Sequence, residues 1–219
     1  MSTIRLVMAR EPIPAGPKVF LAGPTPDKSA PVPSWRPEAA RLLAQQWTGE
    51  QPLTVLSPES RHGQCAERYE DQVDWETDAR AGADAILFWI LRDMRTMPGM
   101  TTNVEFGLDV STGRAVLGVP ADCPNPECNR YLAYVARRHG VPVCETLDDT
   151  VTQALALVAA AGQCSCPYGG TAADTVLDRR PLRPQSGSPY GSDPGLLNAS
   201  LATSRKSARD SMVFALTCA

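Results

Sequence analysis

No apolar run in this 219-residue sequence approaches the roughly 20 residues that a membrane-spanning helix needs. Strong charge is missing as well. A formal net charge of −3 offers no electrostatic grip on nucleic acid or on an anionic membrane. The first ten residues have neither a long apolar stretch nor a small-residue cleavage site, so no secretory signal is expected. Histidine is confined to His62 and His139. The Walker A, G-x-G-x-x-G, G-x-S-x-G and H-E-x-x-H patterns are all absent. The seven cysteines (Cys65, Cys123, Cys128, Cys144, Cys164, Cys166 and Cys218) are odd in number and irregular in spacing. That fits reduced thiols in a cytoplasm better than a disulfide framework. Cys123 with Cys128, and Cys164 with Cys166, lack the spacing of a zinc ribbon, and no metal is expected.

What is present is enough apolar sequence for a core, 43% of residues, arranged in alternating short segments. Apolar runs at 18–22, 53–56, 85–90, 115–119 and 141–144 read as five strands. The third is apolar without alternation, as a strand covered on both faces should be. Helical spacing follows each strand: from Ser34 to Trp47, then over 65–82, 102–112, 129–139 and 147–161. This order predicts an α/β fold, a five-stranded parallel flavodoxin-like sheet with helices on both faces. Residues 1–17, mixed and rich in Pro and Gly, read as a loose arm. The α/β domain then spans 18–162. Residues 163–219, rich in Ser, Gly, Pro and Arg, read as a low-complexity disordered tail.

Ligands of open α/β sheets collect beyond the carboxyl ends of the strands. Two carboxylates stand near that end. Glu105 is placed in the first turn of the helix after the central strand, where the helix dipole favours its ionised form. Thr102-Asn103-Val104-Glu105 is equally a capping-box pattern, in which Glu105 would only close the helix end. Glu76 shares a helical stripe with Ala66, Tyr69, Val73 and Ala83, an apolar setting costly for a carboxylate without a partner or a cleft. If both face one pocket, they can divide nucleophilic and acid–base work. Trp89 ends the central strand and is a candidate platform for a base. Arg61 and Arg92 lie in mouth loops and are candidates to hold a phosphate or carboxylate.

Taken together, Phe20-Leu21-Ala22-Gly23-Pro24, Gln72-Val73-Asp74-Trp75-Glu76, Ala83-Asp84-Ala85-Ile86-Leu87-Phe88-Trp89 and Asn103-Val104-Glu105-Phe106-Gly107 resemble the nucleoside 2-deoxyribosyltransferase-like family. The resemblance implies chemistry at the anomeric carbon of a nucleoside or nucleotide. Glu105 would attack C1′ and form a sugar ester, which a second base or water then resolves. Glu76 would handle the base and its proton. Gly23 and Pro24 would let the first loop approach the ligand, and Asn103 would orient sugar or nucleophile. The resemblance implies no cofactor and a homo-oligomer. One departure is plain: known members place a tyrosine on the first strand, and here Val19 and Phe20 stand there. The same glutamate would also serve cleavage of an NAD-type dinucleotide, with Arg61 and Arg92 on its phosphates. A catalytically silent nucleotide-binding or interaction module is the reading from a different class.

Overall fold

A computed structural model describes residues 3–26, 32–64 and 66–163. Six strands form one sheet: β1 (Ile4–Met8), β2 (Lys18–Ala22), β3 (Leu53–Ser57), β4 (Ala85–Trp89), β5 (Ala115–Gly118) and β6 (Val143–Cys144). Their order is β1-β3-β2-β4-β5-β6, and every neighbouring pair is parallel. The helices are α1 (Arg36–Gln46), α2 (Tyr69–Ala81), α3 (Met100–Asp109), α4 (Arg130–Arg138) and α5 (Leu147–Gln163). Without β1, the strand order is the flavodoxin-like one that the alternation predicts.

The extra strand corrects the reading of residues 1–17 as a loose arm. Ile4–Met8 pairs in register with Leu53–Ser57 at the sheet edge. Only Val7 in it is buried, and Leu6 is 41% exposed. A half-exposed edge strand needs no continuous apolar run, so its mixed sequence did not announce it. The expected tail at 163–219 lies, from residue 164 onward, outside the described residues. Among the described residues no helix is long and apolar enough to cross a membrane.

Strand periodicity sorts the core into two layers. Val19, Leu21, Val55, Leu87 and Val116 face α1 and α5. Phe20, Ala22, Leu56, Ile86, Phe88 and Leu117 face α2, α3 and α4. On that second face the rings of Phe88 and Phe106 meet edge to face, 5.1 Å between centroids, and pin α3 onto β4. The chain leaves β2 toward one side through α1 and leaves β4 toward the other through α3. The crevice between the carboxyl ends of β2 and β4 is therefore the topological switch point, where such folds bind ligands.

Candidate active site

The two carboxylates proposed from sequence come together between α2 and α3, for reasons that begin in α2. Its inward residues are Gln72, Trp75, Glu76, Ala79 and Arg80, which recur at three- and four-residue spacing. Tyr69 and Val73, expected to share the Glu76 stripe, instead point outward at 47% and 41% exposure. The face that α2 turns to the sheet is thus largely polar, and each polar group on it has a partner. Gln72 Nε2 donates to Pro58 O at 2.9 Å and to Glu76 Oε1 at 2.5 Å. Arg80 Nη1 stands 3.3 Å from Glu105 Oε1, and its Nε stands 2.9 Å from Asp109 Oδ2, an ion pair without hydrogen-bond alignment. The Glu76 and Glu105 carboxyl groups are neighbours, and the charge on Glu76 disfavours a charge on Glu105.

Glu105 does not sit where the sequence placed it. α3 starts at Met100 after a left-handed Gly99, so Glu105 lies in the second helical turn and Thr102 is a buried residue of the first. The capping-box reading therefore fails: the chain enters the helix through Gly99, before Thr102. The dipole argument fails with it. Burial pushes the Glu105 carboxyl up to about 7, the neighbouring Glu76 charge adds to this, and Arg80 and Arg36 oppose it. Burial also raises Glu76, while the Gln72 hydrogen bond, Arg36 and Arg80 hold it back.

Arg36, a residue that sequence reasoning passed over, closes the cluster from the β2 side. It is 2% exposed and stacks on Trp35, 4.9 Å from the ring centroid. Its guanidinium donates to Leu21 O (3.2 Å), Gly23 O (2.7 Å), Thr25 Oγ1 (3.1 Å) and Glu59 Oε1 (3.0 Å). Arg114 caps the other end of α2 through Arg80 O, Ala81 O and Ala83 O and sits near Asp109. The carboxyl groups of Glu59, Glu76, Glu105 and Asp109 thus face the guanidinium groups of Arg36, Arg80 and Arg114. One retained proton makes that set neutral, which favours keeping a proton on the Glu76–Glu105 pair in a buried place.

The other residues singled out from sequence build the walls of the mouth. Gly23 has φ 148°, and a Cβ on it would lie 2.3 Å from Trp89 O and 2.9 Å from the Trp35 ring. Its missing side chain lets the β2 and β4 ends close on each other and is not left open for a ligand. Pro24 O accepts from Trp35 Nε1 at 3.0 Å. Trp89 is only 7% exposed; its ring covers Gly118 on the face opposite the glutamates. It is a core residue, which corrects its reading as a platform for a base. Arg92, 1% exposed, spends its guanidinium on Asn129 Oδ1 (3.0 Å), Pro98 O, Gly99 O (3.2 Å) and Asn103 Oδ1 (2.7 Å). It braces the loop after β4 with four of its five N–H donors, and Asn103 is its partner. Arg61 is half exposed and gripped at two points by Glu11, at 2.5 and 3.0 Å. The Glu11 carboxyl falls to about 2 in consequence. Cys123 is buried and Cys128 exposed, while Cys164 and Cys166 lie outside the described residues. A groove of about 590 Å³ opens beside the carboxyl end of β5, lined by Val119, Pro120, Pro126, Tyr131, Tyr134 and Arg137. Neither glutamate borders it.

The resemblance implies a nucleophilic Glu105 with Glu76 handling the base, and the structure sets these two carboxyl groups side by side. The family model described as "Nucleoside 2-deoxyribosyltransferase like" matches residues 16–123. Residues 16–123 belong to that family. This nucleoside glycosyl-transfer family segment runs from the approach to β2 to the loop after β5, and it contains Arg36, Glu59, Glu76, Arg80, Glu105 and Asp109. It leaves out β1, α4 and α5. No curated protein matches the chain. Val19 and Phe20, at the strand where known family members carry a tyrosine, are 0% and 1% exposed and bring no hydroxyl to Glu105. The partner held against Glu105 here is the Arg80 guanidinium.

Proposed function

We propose that the protein cleaves the N-glycosidic bond of a nucleoside and passes the sugar, through an ester on Glu105, to a second base or to water. The observation that carries this reading is the pairing of two largely buried carboxyl groups, Glu76 and Glu105, with the Arg80 guanidinium against Glu105, inside the family segment. With the proton of the pair on Glu76, Glu105 is ionised. A Glu105 oxygen then bonds to C1′ as the C1′–N bond breaks, and Glu76 gives its proton to the departing base nitrogen. The developing positive charge at C1′ is met by the carboxylate before the bond forms, as in retaining glycosidases. In the second half, the acceptor base or water attacks C1′, its proton passes to Glu76, and the ester oxygen of Glu105 leaves. Arg80, clamped by Asp109, holds the Glu105 side chain toward α2.

The dinucleotide reading loses its support, since Arg61 and Arg92 are already engaged by Glu11 and by the loop after β4. A homo-oligomer belongs to the same proposal. Its support is the stripe of Met100, Val104 and Leu108 on α3, each about two-thirds exposed. The test is incubation with a panel of nucleosides, with and without an acceptor base, following free base by chromatography. The expected outcome is base release or exchange that falls at least about a hundredfold in Glu105→Gln. Release that persists in this variant removes Glu105 as the nucleophile. Exchange that needs an acceptor marks a transferase, and release without one a hydrolase.

A further inference from the structure

The polar chain that reaches Glu76 does not begin inside the family segment. It begins at Arg10, on the turn after β1, which the family match leaves out. We infer that Arg10 is a positioning residue, which orients the Gln72 amide so that its NH2 group donates to Glu76. The role rests on the carboxyl pair proposed above, and its consequence is a set acidity of Glu76.

The geometry leaves the amide one orientation. Arg10 has a left-handed backbone, φ 67°, which residues other than glycine seldom adopt. The turn holds it there at three points: Glu11 N to Met8 O, Met8 N to Glu11 Oε2, and Trp75 Nε1 to Glu11 O. From this position the side chain reaches Ser60 Oγ (2.9 Å) and Gln64 O (2.8 Å), and its Nη1 donates to Gln72 Oε1. A guanidinium has donors only, so the amide oxygen must face it. The amide nitrogen then faces Pro58 O and Glu76 Oε1, both acceptors. A flipped amide would set its oxygen against two acceptors and its NH2 against the guanidinium. The β1 extension thereby delivers a fixed donor to Glu76 through one intermediary.

A donor fixed on Glu76 favours its ionised form. The charged groups facing Glu76 are Arg36 from α1, Arg80 from its own helix and Glu105 from α3, and the hydrogen bonds of the Gln72 side chain go to Arg10, Pro58 and Glu76 instead. Freeing the amide therefore moves the acidity of Glu76 while leaving those partners in place.

The experiment follows the Glu76 carboxyl directly, by carbon NMR of protein labelled at the glutamate carboxyls, in the wild type, Arg10→Met, Arg10→Lys and Gln72→Met. In Arg10→Met and Gln72→Met the Glu76 midpoint is expected to rise by about half a pH unit or more. In Arg10→Lys, which keeps a charged donor, it should return most of the way. If base release is observed, the acid limb of its pH profile should shift in the same direction. The NMR readout needs no turnover. Absence of base release with the expected titrations sinks the proposed reaction and leaves the positioning role standing. A Glu76 midpoint unmoved in Arg10→Met and Gln72→Met, with both variants folded by circular dichroism, overturns it. If Arg10→Met does not fold, Arg10→Ala decides the matter by the same criterion.

Discussion

Replacing Glu105 with glutamine should make the protein more stable at alkaline pH and leave it unchanged in acid. The buried Glu105 carboxyl titrates at about 7, against an ordinary 4.5. Between those values the folded chain keeps a proton that the unfolded chain has released. A raised carboxyl pKa thus contributes most to stability below about 4.5, and that contribution is lost as the pH climbs to about 7. At 1.36 kcal/mol per tenfold, ionising Glu105 in place costs the fold roughly 3 kcal/mol at about pH 8. Glutamine has the same size, accepts from Arg80 and donates to Glu76, and carries no charge. Arg80 keeps its Asp109 partner at 2.9 Å. The expected gain in Glu105→Gln is therefore roughly 2–3 kcal/mol at about pH 8, fading to near zero at about pH 4. Urea unfolding followed by tryptophan fluorescence across this range measures it. A variant less stable than the wild type at pH 8, or a gain that does not change with pH, would refute the reasoning that the Glu105 charge is held against a desolvation cost. A site that keeps a costly charge in place is behaving as functional sites do.

Two further outcomes follow from the same cluster. Base release, plotted as kcat/KM, should fall above about pH 7 as the pair loses its last proton, and a profile flat to pH 9 would show that the pair does not act as one acid and one base. Arg80→Met removes the cation between two buried carboxyl groups and should cost about 3–5 kcal/mol in urea unfolding, with the loss greatest at alkaline pH, where both partners must ionise.

The sheet was legible in the sequence because its central strands are covered on both faces. Leu53–Ser57 and Ala85–Trp89 are buried along their whole length, and burial of that kind writes itself as continuous apolar sequence. Ile4–Met8 was not legible, because an edge strand with one buried residue has no such signature. The start of α3 was misjudged because Thr102 and Glu105 make a convincing capping box, whereas the helix enters through a left-handed glycine at 99. That misplacement also inverted the electrostatics: a first-turn carboxylate would have been eased into its charged form, and one in the second turn, buried beside Glu76, is held protonated.

The pair of glutamates was found from sequence, but what makes them a pair was not. Arg36 and Arg80 look like ordinary surface residues in the chain, since arginine is rarely buried and its partners lie on other elements. Arg36 is matched to Glu59 across 23 residues, and Arg80 to Glu105 and Asp109 across the whole of β4. One signal was available. Gln72, Glu76 and Arg80 repeat every fourth residue on a helix between two strands that need covering, so the face toward the sheet had to carry polar groups with partners elsewhere. The same logic explains why the apparent ligand-binding arginines were misread. A guanidinium in a mouth loop is as useful for bracing carbonyls as for holding a phosphate, and Arg92, with four acceptors around it, does the former. The cations that matter to the chemistry are those set against the carboxyl pair, where one proton decides whether the cluster is neutral.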